Sequence, residues 1–336
     1  MMRHRLVAAA IICVGFASTT RGQVVLSMPG KRLEIVGLRQ WTIPMIQDSL
    51  RKYADGVTLD SHACAAALRY KLGFADASAT SFGVLPGDSV QSVFIAVVEP
   101  QDSARVMYRP APMDTTIFRV DWARTARLID RNMGALVFVL DEIAGRQTRR
   151  PSPAIPKQLD STAVIAFRSF LASHSSDADE VAAQHALSSD PNDRTRILAA
   201  AILANFTTRD ANLVRLLEAS RETDGRVKLV AGDVLFNFAQ DTPRPVDWRP
   251  AVDALHAMLD GTSLFQAMGV MDLLVASRVD SALATPILKA GGQAVLDFLG
   301  ARHPWPRESA HKLLVALSGR DLGYDVGRWR RWIESL

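Results

Sequence analysis

Hydrophobic positions along this chain change their period near the middle. From Arg32 to Leu38 (RLEIVGL) apolar and polar residues alternate as in a half-buried strand. A strand-like rhythm returns over Ser78–Leu85 and Ser89–Val98, with the turn residues Pro86, Gly87 and Asp88 between them. Inside that frame, Trp41–Tyr53 carries Trp41, Met45, Ile46 and Leu50 at helical spacing. Ser61 can cap a second helix through Leu72, with Ala65, Leu68 and Leu72 on one face. Arg105–Tyr108 is a further strand candidate. Beyond Asp160 nearly all of the spacing is helical. It predicts helices over 161–173, 177–188, from Arg194 to Phe206, 211–221, 226–238, 247–259, 263–277, 283–301 and 307–317.

Within the helical half one segment returns. RTRILAAAILANF at Arg194–Phe206 is echoed 32 positions later by RVKLVAGDVLFNF at Arg226–Phe238. The two share Arg194/Arg226, Ala199/Ala231, Leu203/Leu235, Asn205/Asn237 and Phe206/Phe238. Self-similarity at a period of about 20–50 residues signals stacked repeats, in which one helical pair cannot bury its apolar face alone. At about 100° per residue, Ala199, Ile202, Leu203 and Phe206 share the core side, whereas Arg194, Ala201 and Asn205 point away from it. Arg226, Asp233 and Asn237 point outward in the second copy. In the third pair Phe265, Ala267, Val270, Met271 and Leu274 keep an apolar face without the basic residue.

These inner helices resemble HEAT repeats. The pattern is carried by Thr195, Arg196, Ala199, Ala200, Ile202, Leu203 and Phe206, and again by Val227, Lys228, Ala231, Gly232, Val234, Leu235 and Phe238. It recurs more thinly at Arg307, Ala310, Leu313, Leu314 and Leu317. The tail ALSGRDLGYDVGRWRRWIESL is similar to the endings of bacterial HEAT-repeat proteins, with Trp329 and Trp332 covering the last repeat. The resemblance implies a right-handed, armadillo-like α-solenoid whose concave face, lined by the outward side of the inner helices, binds a partner. Its contact candidates here are Arg194, Asn205, Arg226, Asp233 and Asn237, while Arg196 and Lys228 sit at the edge of the core stripe and suit structural pairing. The earlier order of strand, helix, helix, strand, strand resembles a POTRA module, through Ile35–Leu38, Leu72–Phe74 and Phe94–Val98 closing on Glu99. That likeness implies a sheet edge on which an extended peptide can dock. No transmembrane β-barrel sequence follows, in departure from the usual POTRA setting.

Composition adds the setting. The basic start MMRHR, the short apolar run LVAAAIICVGFAST and the small-residue region before Gln23 form the layout of an exported leader over 1–22. The apolar run falls short of the ~20 residues that span a bilayer, which disfavours a retained anchor. Removing Arg3, Arg5 and Arg21, with no acid lost, takes the net charge from +4 to +1 and argues against nucleic acid as partner. Only Cys64 then remains, so packing alone must hold the fold in an oxidising compartment. The proline-rich stretch QTRRPSPAIP reads as a connection, giving a leader at 1–22, an α+β module (β-α-α-β-β) at 30–145, a linker at 146–159 and helical repeats at 160–336.

Chemistry is sparse. No HExxH, GxSxG, phosphate loop or CxxC occurs, and His62 and Cys64, two apart on a helix, make a poor metal pair. His185, His256 and His311 are single residues in helices. Asp177, Asp179 and Glu180 suit a helix N-terminus. No catalytic residue, cofactor or metal is expected. The sequence therefore predicts an exported, non-catalytic binding scaffold of the periplasm or cell envelope, with a protein partner on the concave face and no membrane span. The alternatives are a periplasmic hydrolase with its site between the two domains, and an assembly or secretion accessory acting through the POTRA-like module.

Overall fold

In a computed structural model, residues 23–336 are described except 29, 62, 85–89, 114–119, 148–152 and 290. The leader, His62 and the turn at 86–88 thus lie outside the described residues. The chain begins with a hairpin of β1 (Gln23–Met28) and β2 (Lys31–Val36). Helices α1 (Ile43–Tyr53) and α2 (Cys64–Tyr70) follow, then strands β3 (Asp76–Val84) and β4 (Gln91–Val98). The sheet order is β1-β2-β4-β3, with β2 parallel to β4 and the other pairs antiparallel.

Strand alternation sends Leu33, Ile35, Val93, Ile95 and Val97 to one face, where they pack with Ile46, Leu50 and Leu68 of α1 and α2. Val36, Phe94, Ala96 and Val98 go to the other face and join the core of the helical half. Burial on both sides explains why β4 reads VFIAVV, an unbroken apolar run. Arg105–Tyr108 is not a strand. A 3-10 turn at Pro100–Arg105 leads into extended backbone, and a single parallel bridge joins Arg109 to Glu222.

Next comes α3 (Val120–Gln147), interrupted by non-helical backbone at Asn132. The helices after it are α4 (Ser161–Ser173), α5 (Asp177–Ser189), α6 (Asp193–Leu203), α7 (Asp210–Ala219) and α8 (Gly225–Asp241). They continue as α9 (Val252–Asp260), α10 (Leu264–Ala276), α11 (Ala284–Leu288), α12 (Gln293–Leu299), α13 (Pro304–Ser318) and α14 (Val326–Glu334). Side-chain caps start several of them. Asp160, Asn192 and Asp224 each accept first-turn N–H groups, and Ser176 and Asp179 form a capping box.

The helices pair as α5/α6, α7/α8, α9/α10 and α12/α13, and the second members α6, α8, α10 and α13 pack side by side in one row. Ala199, Ala200 and Ala231, all fully buried, let α6 and α8 approach closely. Trp329 of α14 is fully buried, donates to Gly323 O at 2.6 Å and meets Trp332 edge-on, closing the end of the array. Around the expected linker, α3 packs on α4, and Ile155 and Leu159 lie partly buried against the core.

Sheet and helices interlock through buried carboxylates. Glu34, 4% exposed, accepts the backbone N–H groups of Arg302 and of His303 (2.9 Å), just ahead of α13. Asp76, 2% exposed, accepts the N–H of Leu264 at 2.9 Å, the first residue of α10. A carboxylate at a helix N-terminus satisfies an orphan donor and meets the positive end of the dipole. Glu99, fully buried, accepts from Arg39, Gln40 and Trp41 at 2.8–2.9 Å and shapes the loop into α1. At the opposite pole of α9, Arg105 donates to Asp260 O.

The same contact fixes Gly261, whose φ is +148°. A Cβ there would sit 2.8 Å from Val98 Cγ2. Gly261→Ala is therefore expected to cost about 1–3 kcal/mol in urea unfolding, since only glycine suits that φ and the sheet leaves no room. A cost near zero would mean that sheet and α9–α10 turn are not in contact.

Candidate partner-binding groove

Four of the five contact candidates are answered inside the chain, three of them by α3. This helix lies across α4, α6 and α8 and presents Ile129, Leu136, Leu140 and Ile143 to the core. Arg194 donates to Asp130 through Nε (3.1 Å) and Nη2 (2.6 Å). Arg226 donates to Asp130 at 2.8 Å and also pairs with Asp193. The two guanidinium groups hold the Asp130 carboxyl below its ordinary range. Asn237 donates to Asp141 at 3.0 Å. Asn205 donates to Leu171 O and His174 O at 3.0 and 3.1 Å and closes the end of α4. Ala201, outward on the helical wheel, is fully buried. The outward side of the repeat core is met here by an amphipathic helix from before the repeats, which packs on α6 and one flank of α8, while Arg194 and Arg226 keep 43% and 36% of their side-chain surface exposed. The spacing of Ile129, Leu136, Leu140 and Ile143 was the signal for that helix.

Asp233 is the exception. Its Oδ2 is buried with no hydrogen-bond partner. It belongs to a stripe on α8, Leu229, Gly232, Asp233 and Phe236, at the i, i+3, i+4, i+7 spacing of one helical face. On α10 the matching stripe is Phe265, Met268, Gly269 and Asp272. Together with Trp305 of α13 the two stripes line a groove of about 260 Å³. Phe265, which the sequence pattern placed on the apolar core face, is 58% exposed, with Trp305 at 47% and Phe236 at 44%. Open space surrounds a Cβ built at Gly269, whereas one built at Gly232 would meet the Gln266 amide. Phe236, Phe265 and Trp305 thus leave three large aromatic side chains exposed around one groove.

Two carboxyls sit within this apolar wall. Burial, and secondarily the charge of Asp141, pushes Asp233 up to about 7. Burial also raises Asp272, against hydrogen bonds from Ser309 and Trp305. At its other end the groove passes Leu229, Phe265 and Gln266 into a polar cavity of about 260 Å³ between sheet and helices, lined by Arg69, Asp76, Tyr108 and Lys228. Lys228 Nζ lies 4.7 Å from the centre of the Tyr108 ring, and Arg69 lies 5.3 Å from it. Burial lowers Lys228, and burial with the neighbouring Asp76 charge raises Tyr108. Arg196, its counterpart one repeat earlier, makes a buried ion pair with Glu222 at 2.9 Å.

The remaining candidates have local duties. Cys64 is fully buried and its thiol is pushed up to about 12 by burial, so it is no nucleophile near neutral pH. His256 Nδ1 faces Ile287 O at 3.3 Å and His311 Nε2 faces Asp321 at 2.8 Å. Glu142 pairs with Arg168 at 2.8 Å. Among the described residues no group of three or more His, Cys, Asp and Glu side chains is placed to hold a metal. Among them, too, no helix is long and apolar enough to cross a membrane. Comparison with protein-family models, with curated proteins and with solved structures returns no match, so the groove is read from its own chemistry.

Proposed function

We propose that this chain is a non-catalytic, protein-binding scaffold exported to the cell envelope. In this reading its helical pairs are HEAT-like units of a superhelix, flanked by a POTRA-like sheet module, and the open part of the concave face is the groove between α8 and α10. The occupant is a partner segment that places apolar side chains against Leu229, Phe236, Phe265 and Trp305 and a basic side chain beside Asp233. The observation that carries the reading is Asp233 itself, a carboxylate without a hydrogen bond to one oxygen, set among exposed aromatic residues. A cation from outside would both complete its hydrogen bonding and restore its ordinary ionisation.

Panning a random-peptide display library tests this directly. Enriched peptides are expected to combine aromatic or aliphatic residues with Lys or Arg. They should bind a Phe236→Ser/Phe265→Ser protein at least about tenfold more weakly, the scale of an interface hot spot. Asp233→Asn should relax the preference for the basic residue alone. Peptides that bind the double variant as well as wild type, or no enrichment at all, would remove the groove as a docking site.

A second reading, a hydrolase acting between sheet and helices, draws on the convergence of Arg69, Asp76, Tyr108 and Lys228. Asp76 is already engaged by Leu264 and Ala77 N–H groups and by Arg69 at 3.4 Å. Its oxygens are thus taken up by structural donors, although burial raises it above the ordinary carboxylate range. Turnover of an ester or amide substrate panel by wild type and its loss in Lys228→Ala would favour the enzyme.

A further inference from the structure

Away from the groove, α12, α13 and α14 meet the start of β1 around a cavity of about 440 Å³. Arg39, Arg302, Arg307 and Arg330 all line it. Arg39 is matched by Asp102 and Asp297, at 3.3 and 3.4 Å. Among the described residues Arg302, Arg307 and Arg330 make no ion pair. The two aspartates in the wall do not supply one. Asp297 accepts from Gln293 at 2.8 Å, pairs with Arg39 and feels the charge of Arg330 without pairing with it, while Asp325 caps α14 by accepting the Arg328 N–H at 3.0 Å.

Arg307 is stacked on an aromatic ring rather than ion-paired. Its guanidinium lies 4.6 Å from the centre of the Tyr324 ring, and the Tyr324 hydroxyl is tied to Glu308. Its Nε is shut off from solvent and has no hydrogen-bond acceptor. A stacked guanidinium presents its edge in a fixed direction, the arrangement that suits a planar or tetrahedral oxyanion. The N-terminal residues Val326 and Gly327 of α14 line the same cavity, beside the carboxylate of Asp325 that caps this helix. Leu296 and Leu299 supply apolar wall for the rest of a small organic molecule, and the volume falls in the range of small-ligand sites.

We infer that this cavity is a binding site for a small multivalent oxyanion, held through its phosphate or carboxylate oxygens by Arg302, Arg307 and Arg330. The site stands independently of the α8–α10 groove and shares no residue with it. Four guanidinium groups, those of Arg39, Arg302, Arg307 and Arg330, against the carboxylates of Asp297 and Asp325 leave the wall with an excess of positive charge, and an anion of at least two charges turns the residual repulsion into attraction.

Calorimetric titration of the full chain with pyrophosphate and, separately, citrate, in buffer free of phosphate, is the test. Saturable binding of either probe is expected, and the tighter of the two assigns phosphate or carboxylate as the recognised group. Arg302→Glu and Arg330→Glu alter exposed side chains that need not disturb folding. Each should weaken binding at least about tenfold. Arg328→Glu, exposed on the same helix but not in the cavity wall, makes the same charge change and should leave the affinity within about twofold of wild type. Absence of saturable heat at millimolar probe, or equal weakening by all three substitutions, would overturn the site and leave only diffuse surface charge.

Discussion

Replacing Arg196 by Met is expected to destabilise the fold by about 3–5 kcal/mol, the cost of leaving one half of a buried ion pair alone. Arg196 and Glu222 are 2% and 0% exposed, with Nε 2.9 Å from Oε2, and Arg196 Nη1 also donates to Asp190 O at 2.8 Å. Burial already raises Glu222 above the ordinary carboxylate range even with Arg196 beside it, and its other oxygen has no hydrogen-bond partner. Removing the guanidinium strands that charge between α6 and the turn that leads into α8. Urea unfolding followed by circular dichroism measures the loss, which should shrink as acid protonates Glu222 in the variant. The pair Arg196→Met with Glu222→Leu should recover most of it, because apolar replacement of both partners is often neutral. A single-variant cost below about 1 kcal/mol would show a pair that behaves as a solvated one.

Asp233→Asn is expected to act the other way, stabilising the protein by on the order of 4 kcal/mol above neutral pH. The folded carboxyl titrates at about 7 against an ordinary value of 3.8. That is a rise of roughly three units at about 1.4 kcal/mol each. Because the folded value is the higher one, Asp233 favours the fold fully below pH 4. That contribution is then lost progressively as pH rises towards 7. Wild type should therefore lose stability relative to Asp233→Asn across that interval and run parallel to it beyond. Melting temperatures of both proteins from pH 4 to pH 8 decide the matter. Curves that stay parallel throughout would mean that water reaches the carboxylate. A substitution that strengthens the fold while weakening peptide selection would mark Asp233 as kept for binding.

Much of the helical half was legible because its information is local. Caps such as Asp160, Asn192 and Asp224 precede apolar stripes of helical period, and the echo of Arg194–Phe206 at Arg226–Phe238 places two neighbouring helices in one row. The site was harder to read because exposure is a property of what else lies nearby. Arg194 and Asn237 sit on the outward side of their helices, yet α3 returns from another part of the chain to meet them through Asp130 and Asp141. Phe265 has the spacing of a core residue, but it is exposed. Strand β1 left little trace, since Gln23–Met28 has no strict alternation and its burial is intermediate at nearly every position. The glutamate of RLEIVGL looked like the polar half of a strand pattern. Its role emerges only 269 positions later, at His303.

That last separation bears on how the molecule is made. A polypeptide emerging from its N-terminus exposes the sheet while residues 264 and 303 have yet to be synthesised, so Asp76 and Glu34 wait without their helix partners and Phe94 without Phe298. Contacts this distant close slowly and late. A chain halted short of α10 would carry two buried-type carboxylates and an aromatic sheet face open to water. Completion of the helices from α10 onward thus becomes the event that distinguishes a finished molecule from a fragment, whose N-terminal surface stays unmatched.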